Sequence, residues 1–424
     1  MENNNENLKN SNSENPSFFE QKVSSSNGNE DFIPKLRFKE FNENLKLYKL
    51  SQIVDIFDGT HQTPNYTNRG IKFVSVEDIK NLDATNKYIS EKDYIRDFKI
   101  TPELYDILMT RIGDIGTPAI VNTSEKYAFY VSLALFKCHK KILLPQYFLQ
   151  RIASEPFQHE LWKRTLHIAF PKKINKNEIG ECKTYICSKN EQQKIANFLS
   201  LIDKRIEKQR QLIESLKKYK RGLLSAIFER KIRFKDDNGN DYPEWNKIPL
   251  GSIFVERVEK ATGNEELLSV TINEGIKKRN TIDIKDNSSE DKSHYKKVYK
   301  DDIAYNTMRM WQGASGVSKY NGMVSPAYTV ISPKIDVNID FWSYYLKYYK
   351  IIHLFQKFSQ GLTSDTWNLK FPQFAEIKVL VPSKVEQEKL AEILLTFDNN
   401  INIYQNYLDK LEQLKKSLLQ QMFI

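Results

Sequence analysis

From Ile195 to Ile227 apolar side chains recur alternately four and three positions apart: Ile195, Leu199, Ile202, Ile206, Ile213, Leu216, Leu223 and Ile227, with Gln209 and Lys220 as the polar breaks. A second series, Leu390, Leu394, Phe397, Ile401, Tyr404, Leu408, Leu411, Leu418 and Met422, has the same spacing and is broken by Lys415. Such a heptad stripe predicts a long amphipathic helix with a coiled-coil seam. Neither stretch, Asn190–Phe228 or Ser383–Phe423, contains proline, so each helix is expected to run uninterrupted for roughly 60 Å at about 1.5 Å per residue. The two stripes match in length and period, which favours packing of one seam on the other. Lys220 and Lys415 fall at equivalent positions and would repel if they met, so an antiparallel pairing is expected. Each lysine is expected to snorkel to solvent.

The second helix is a copy of the first. Ser188 and Ser383 stand 195 positions apart, and that offset holds without a gap to Phe228 and Phe423. It pairs Glu191 with Glu386, Gln192 with Gln387, Asp203 with Asp398 and Leu216 with Leu411. The duplication continues outside the helices. KLRFKEF at Lys35–Phe41 resembles KIRFKDD at Lys231–Asp237, and LSQIVDIF at Leu50–Phe57 resembles LGSIFVER at Leu250–Arg257 after a short insertion containing Trp245. Asp106-Ile107 matches Asp302-Ile303. Between these anchors the halves diverge. The β-rich runs Ile71–Ile79, Tyr127–Cys138, Ala327–Pro333 and Glu376–Pro382, with helical runs at Gln146–Thr165 and Asp340–Ser359, predict mixed α/β globular parts. The expected order is a disordered tail over residues 1–31, a globular domain over 32–187, a long helix over 188–232, a second globular domain over 233–382 and a second long helix over 383–424.

Length changes the picture little, since 424 residues already exceed one ordinary core. Charge changes it more. The formal net charge of +10 favours a polyanionic partner, nucleic acid or an anionic membrane surface. No apolar run approaches the roughly 20 residues of a membrane span, and the first residues lack the basic and apolar regions of a signal peptide. Three cysteines argue against a disulfide framework and for a reducing, cytoplasmic setting.

Several motifs together resemble one family, the DNA specificity subunits of type I restriction-modification systems. They are the PKLRF opening at Pro34–Phe38, the EQ-x-K-[IL]-A helix starts at Glu191 and Glu386, the DGTHQTPNYTNRGIKFV stretch at Asp58–Val74, DILMTRIGDIG at Asp106–Gly116, and the two-fold repeat itself. The resemblance runs from about Lys35 to the end of the chain. Cys187 departs from it, standing where the second copy has Pro382, which puts only the local strand-to-helix turn in doubt. The resemblance implies an α+β protein with two target recognition domains joined by two long antiparallel coiled-coil helices. Each domain would read one half of a split, asymmetric double-stranded DNA target. The helices would set the spacer and dock two methyltransferase subunits, with translocating restriction subunits joining the complex. This chain would be non-catalytic, and S-adenosylmethionine, ATP and Mg would belong to the partners. The alternatives are a coiled-coil scaffold whose globular parts bind protein, a defective or silent copy, or a self-sufficient methyltransferase or nuclease with disguised motifs.

Candidate DNA contacts follow from side-chain chemistry. Arginine can bind guanine and asparagine or glutamine can bind adenine bidentately. The polar loop with Thr60, His61, Gln62, Asn65, Tyr66 and Arg69 offers these groups, against an ordinary solvated loop as the alternative. Arg111, Lys172 and Lys173 suit phosphates. In the second half, Lys277, Lys278, Arg279 and Asn280 form a basic turn. Arg309, Trp311 and Gln312, with Thr363, Ser364, Thr366, Trp367 and Asn368, combine polar and aromatic groups; core packing is an equal expectation for the two tryptophans.

Catalytic motifs are missing from the sequence. There is no Walker A loop, no G-x-G-x-x-G and no Asn-Pro-Pro-aromatic run. His159-Glu160 opens like a zinc-protease helix, but Lys163 stands where the second histidine is needed. Cys138, His139, Cys182 and Cys187 fit no metal-finger spacing and are expected to be structural.

Overall fold

The computed structural model describes residues 33–272, 275–282 and 291–424, together with the backbone of a short strand at Phe19–Gln21. The expected tail over 1–31 otherwise lies outside the described residues; the Phe19–Gln21 strand pairs antiparallel with Leu36–Phe38. The chain forms two compact units, one of residues 1–210 and 406–424, the other of residues 211–405. Each long helix therefore contributes one half to each unit. The helices span Lys189–Phe228 and Lys384–Met422, within a residue of the expected stretches Asn190–Phe228 and Ser383–Phe423.

The first unit is built on a four-stranded antiparallel sheet. Its strands run in the order Val54–Asp58, Leu133–Cys138, Ile107–Thr110, Pro118–Ile120. The two central strands are almost wholly buried, as their unbroken apolar runs require. Lys46–Lys49 and Lys183–Ile186 form a separate antiparallel pair just before the long helix. A further sheet joins Tyr127–Phe129, Ile71–Val74, Tyr88–Ile89 and Tyr66–Thr67. The second unit repeats the first two sheets with the same order: Phe254–Glu256, Tyr328–Pro333, Ile303–Asn306, Ser315–Val317, and the pair Asn246–Pro249 with Lys378–Val381. In place of the third sheet it has two small pairs, Leu268–Thr271 with Gly275–Lys278 and Lys296–Val298 with Gly322–Val324. The divergence seen in sequence is thus concentrated in one layer of each unit.

The predicted helical run Gln146–Thr165 is two helices, Pro145–Ile152 and Glu155–Lys163. The break falls just before Pro156. Proline fits the first turn of a new helix but has no N–H to continue an old one. The equivalent run in the second unit also breaks, into Ile339–Tyr345 and Tyr349–Phe358. Gln158 and Tyr345 show how these helices are held: Gln158 Nε2 donates to the Gly116 carbonyl at 2.7 Å, and the Tyr345 hydroxyl donates to the Leu380 carbonyl at 2.8 Å.

The seam is apolar and antiparallel in both units. In the first, Ile195 and Leu199 from the start of one helix share a core with Leu418, Leu419 and Met422 from the end of the other. In the second, Ile227 and Phe228 share a core with Leu390, Ala391 and Leu394. Leu199, Ile206, Ile213, Leu394 and Leu408 are buried, while Ile202, Leu216, Phe397, Ile401 and Leu411 are half-buried. Among the described residues no helix is long and apolar enough to cross a membrane.

Candidate nucleic-acid interface

The polar loop after Asp58 leaves the first unit's central sheet under tight control. A Cβ on Gly59 would come 2.5 Å from the carbonyl oxygens of Phe129 and Tyr130, so only glycine fits that close approach. Thr60 N–H donates to the Phe129 carbonyl at 3.1 Å, and Val131 N–H donates to the Thr60 carbonyl at 2.9 Å. Beyond this base His61, Gln62, Asn65, Tyr66 and Arg69 are exposed, and Thr60 is half-buried. Tyr66 rests edge-on against buried Phe73 at 5.7 Å, leaving the rest of its ring outward.

Arg111 plays a different part from the exposed lysines grouped with it on sequence. It is buried, with its guanidinium paired to Asp58 and its Nε donating to the Ile174 carbonyl at 3.1 Å. Its own backbone N–H donates to the Ser132 carbonyl at 2.9 Å, and its carbonyl accepts from Ile174 N–H at 3.0 Å. The loop after Asp58, the turn after Arg111 and the segment ending at Ile174 are therefore tied to one point. Arg111 is not presented to a phosphate here; it holds the loops that could be. Lys172 and Lys173 are exposed next to that knot. Their backbones are fixed, Gly113 N–H donating to the Lys172 carbonyl and Leu166 N–H to the Lys173 carbonyl, each at 2.8 Å.

The second unit gathers its loops at the equivalent place without the arginine. Thr307 accepts from Leu369 N–H at 2.9 Å, as Arg111 does from Ile174, and donates its own N–H to the Ala327 carbonyl at 3.2 Å. Trp311 and Trp367 meet edge to face at 5.2 Å, joining the Arg309–Gln312 turn to the Thr363–Asn368 loop. Both tryptophans, and Asn368, are half-buried, whereas Arg309, Gln312, Thr363, Ser364 and Thr366 are exposed. The two rings pack on one another while each stays half-buried, so the packing expectation holds in part. The basic turn is instead the end of a strand, Gly275–Lys278, followed by a short turn over Arg279–Thr281. Lys277, Lys278 and Arg279 are half-buried and Asn280 is exposed. Lys278 pairs with Glu266 at 3.2 Å and lies 5.5 Å over the Tyr320 ring. Gly275 passes so close to Gly316 that a Cβ on the latter would be 2.6 Å from its Cα, which seats this strand against the sheet.

The acidic and amide residues repeated at each helix start have a structural role that sequence alone did not disclose. Gln192 Oε1 accepts from Leu144 N–H at 2.9 Å, while its Nε2 donates to the carbonyls of Ile142 and Cys187 at 2.8 and 2.9 Å. Gln387 does the same with Asn338 N–H at 3.1 Å and the Pro382 carbonyl at 3.0 Å. The turn at Cys187 is thus held as it is at Pro382, because the bond uses a carbonyl that both residues possess. Glu191 receives two bonds from Arg37, at 2.8 and 2.7 Å, which raise the arginine's pKa from its ordinary value. Cys182 and Cys187 are buried, and burial pushes their thiols up to about 12.

The lysines that break the seam are also paired. Lys220 reaches Asp398 at 2.5 Å in the second unit, and Lys415 reaches Asp203 at 2.5 Å in the first. These are the same pair seen twice, since both partners are related by the repeat. Each aspartate takes a third group from its own globular part: the Gln150 amide donates to Asp203 at 2.8 Å and the Tyr344 hydroxyl to Asp398 at 2.5 Å. The expectation that these lysines snorkel to water therefore gives way, because a carboxylate on the facing helix lies within reach. Repetition of Asp203 as Asp398 was the available signal.

Comparison with known proteins agrees with this architecture. Residues 42–218 and 243–413 each match the type I restriction modification DNA specificity domain. The fold is similar to that of the type I restriction-modification system S subunit from M. genitalium, with a TM-score of 0.56 and 17% identity over 92% of this chain and 99% of that one. It is also similar to a chain in a structure described as the basis of complex assembly and conformational transition of the type I R-M system, with a TM-score of 0.54 and 11% identity over 88% and 96% of the two chains. With both halves matched, in the order that the duplicated sequence requires, the chain belongs to the type I restriction-modification DNA specificity family.

Proposed function

We propose that each globular part reads one half of an asymmetric, two-part double-stranded DNA target, and that the long helices set the spacing and offer the methyltransferase subunits their docking surface. The observation that carries this is the contrast between conserved and divergent contacts within the one chain. The helix starts, the Gln192 and Gln387 bonds and the lysine–aspartate pairs are kept in both copies, while the loops gathered at Arg111 and at Thr307 differ. Two identical partners need the same surface twice, and two different half-sites need different readers. Exposed His61, Gln62, Asn65, Tyr66 and Arg69 in the first unit, and Arg309, Gln312, Thr363, Ser364 and Thr366 in the second, offer hydrogen-bonding groups for base edges and sugar-phosphate oxygens. Lys172 and Lys173 supply charge for phosphates. The chain itself would carry no catalytic step; S-adenosylmethionine, ATP and Mg would be held by the methyltransferase and restriction subunits.

The test is single-molecule methylation mapping after co-expression with the cognate methyltransferase subunit in a methylation-free host. Two short, unlike half-sites around a fixed unspecified spacer are expected. A soluble complex that methylates with no two-part motif overturns the proposal. Duplex binding without steep loss of affinity on adding salt would point to a scaffold for proteins instead.

A further inference from the structure

Three large apolar side chains stand wholly in solvent: Ile168 at 99%, Phe170 at 103% and Leu362 at 101% of full exposure. No other large apolar side chain among the described residues exceeds 72%. All three lie on the same repeated segment. In the first unit that segment is closed by a bridge between Leu166 and Lys173, and in the second by one between Gln360 and Asn368. Both segments run directly into the residue that joins the loop knot, Ile174 bonding to Arg111 and Leu369 to Thr307. The apolar tips are therefore held out from the loop cluster that carries the candidate base contacts.

The tips are held by ordered backbone. Leu166 N–H donates to Lys173 at 2.8 Å, and Gln360 and Asn368 exchange bonds of 2.9 and 2.8 Å. Around Leu362, Gly361 has a φ of +140°, and a Cβ there would fall 2.6 Å from the Thr366 carbonyl oxygen. Thr363 N–H and Thr366 Oγ1 are bonded at 3.1 Å, closing the turn from the other side. Holding an isoleucine, a phenylalanine and a leucine fully in water on a fixed turn forgoes the burial that each would gain in a core. The same arrangement appears in two otherwise divergent readers.

We propose that these tips are wedges for the DNA duplex: Ile168 and Phe170 at one half-site and Leu362 at the other, each entering a groove and opening a base step. Apolar side chains that insert between base steps are a known way for proteins to kink a duplex and extend its contact. At Leu362 the shoulders fit such a seat better than a protein surface, and at Phe170 cations lie close by. Leu362 stands between Gly361 and the exposed hydroxyls of Thr363 and Ser364, with no apolar neighbour in the turn, and exposed Lys172 and Lys173 follow Phe170 within three residues. A protein interface core would need a contiguous apolar patch, whereas a base step accepts a single side chain flanked by cations and hydrogen-bonding groups.

This rests on the DNA-reading function proposed above, and the experiment separates the two. The assembled complex with its methyltransferase subunits is bound to a duplex carrying the mapped target, with 2-aminopurine placed at successive steps in and beside each half-site. Enhanced fluorescence is expected at one step per half-site. In Ile168→Ser/Phe170→Ser the signal at the first half-site should vanish and affinity for the target fall roughly 10- to 100-fold, with the second half-site signal kept. Leu362→Ser should do the reverse. Because these side chains touch solvent only, circular dichroism and complex assembly should be unchanged. The wedge is overturned if the native complex binds its target with no enhanced step, or if the serine variants keep native signal and affinity. It is also overturned if they bind DNA normally but fail to assemble with the methyltransferase, which would make the tips a protein contact. Absence of any specific binding by the native complex would instead remove the DNA-reading function itself.

Discussion

One ion pair occurs in both units and has two different strengths. In the first, Arg37 grips Glu191 through two bonds, and the side chains are only 6% and 1% exposed. In the second, the equivalent Arg233 stands 3.6 Å from Glu386 and gives its guanidinium instead to Glu244 at 2.6 Å and to the carbonyls of Tyr242 and Pro243, each at 2.8 Å. Those acceptors come from the insertion that only the second copy carries. Glu386 is left 2% exposed without a hydrogen bond from its arginine, and burial raises its pKa above the usual carboxylate value. A repeat can thus keep both residues of a pair while a nearby insertion redirects one of them. The loop ends differ in the same manner: a buried arginine paired to a half-buried aspartate ties the first, and two tryptophans tie the second.

The largest expected effect comes from exchanging the readers. Replacing residues 58–180 with the matching segment of another specificity subunit should change one half-site completely and leave the other and the spacer intact, as methylation mapping would show. A change in both halves would mean that the units do not read independently. Next comes the scaffold they share. Inserting one heptad into both long helices should lengthen the spacer by about three base pairs, at about 1.5 Å per residue and 3.4 Å per base pair, with both half-sites retained. An unchanged spacer would end the role of the helices as a ruler.

The unequal ion pairs give a stability contrast that urea denaturation can measure. Arg37→Ala should cost about 3–5 kcal/mol, because it strands a buried carboxylate. Arg233→Ala should cost markedly less in its interaction with Glu386, since that glutamate is already poorly paired. Equal losses would show that the 3.6 Å separation understates the second pair. The buried Glu386 of the second pair should also make stability depend on pH. Glu386 has a folded pKa above its reference value of 4.5, so the folded state binds its proton more tightly than the unfolded chain. Its contribution is most favourable below pH 4.5 and is lost as pH rises through the folded value. Glu386→Gln should therefore be neutral or stabilising at pH 7 by about 1 kcal/mol and should remove that slope, whereas Glu191→Gln should destabilise.

The smallest effects are expected at the lysine–aspartate pairs. Asp203→Ala and Asp398→Ala should each cost about 1–2 kcal/mol, the partly exposed carboxylate losing both a lysine and a neutral donor. Asp398→Ala should be the larger, because Lys220 is 17% exposed and lies 4.7 Å over the Tyr344 ring, against 22% for Lys415. The double variant Asp203→Lys/Lys415→Asp should recover part of the single loss in a double-mutant cycle. No recovery would make the pairing incidental to the seam.

The heptad stripes, the 195-residue offset and the β-rich runs make the two long helices, the duplication and the mixed α/β class legible in the sequence. Periodicity and repetition are local or self-referential signals, and burial of an apolar stripe follows from them almost regardless of the rest of the chain. They could not say that Arg111 is a buried tether while Lys172 and Lys173 are exposed, since all three are simply cations in sequence. Nor could they show that Lys220 and Lys415 find aspartates, or that Ile168, Phe170 and Leu362 point away from any core. Those outcomes depend on which distant segments converge. Arg111 meets Asp58 across 53 positions and Lys220 meets Asp398 across 178. The sequence by itself determined the elements and their two-fold order; only tertiary structure decided the partners of each charge and the exposure of each loop residue, because those energies arise between groups that the chain keeps far apart until it folds.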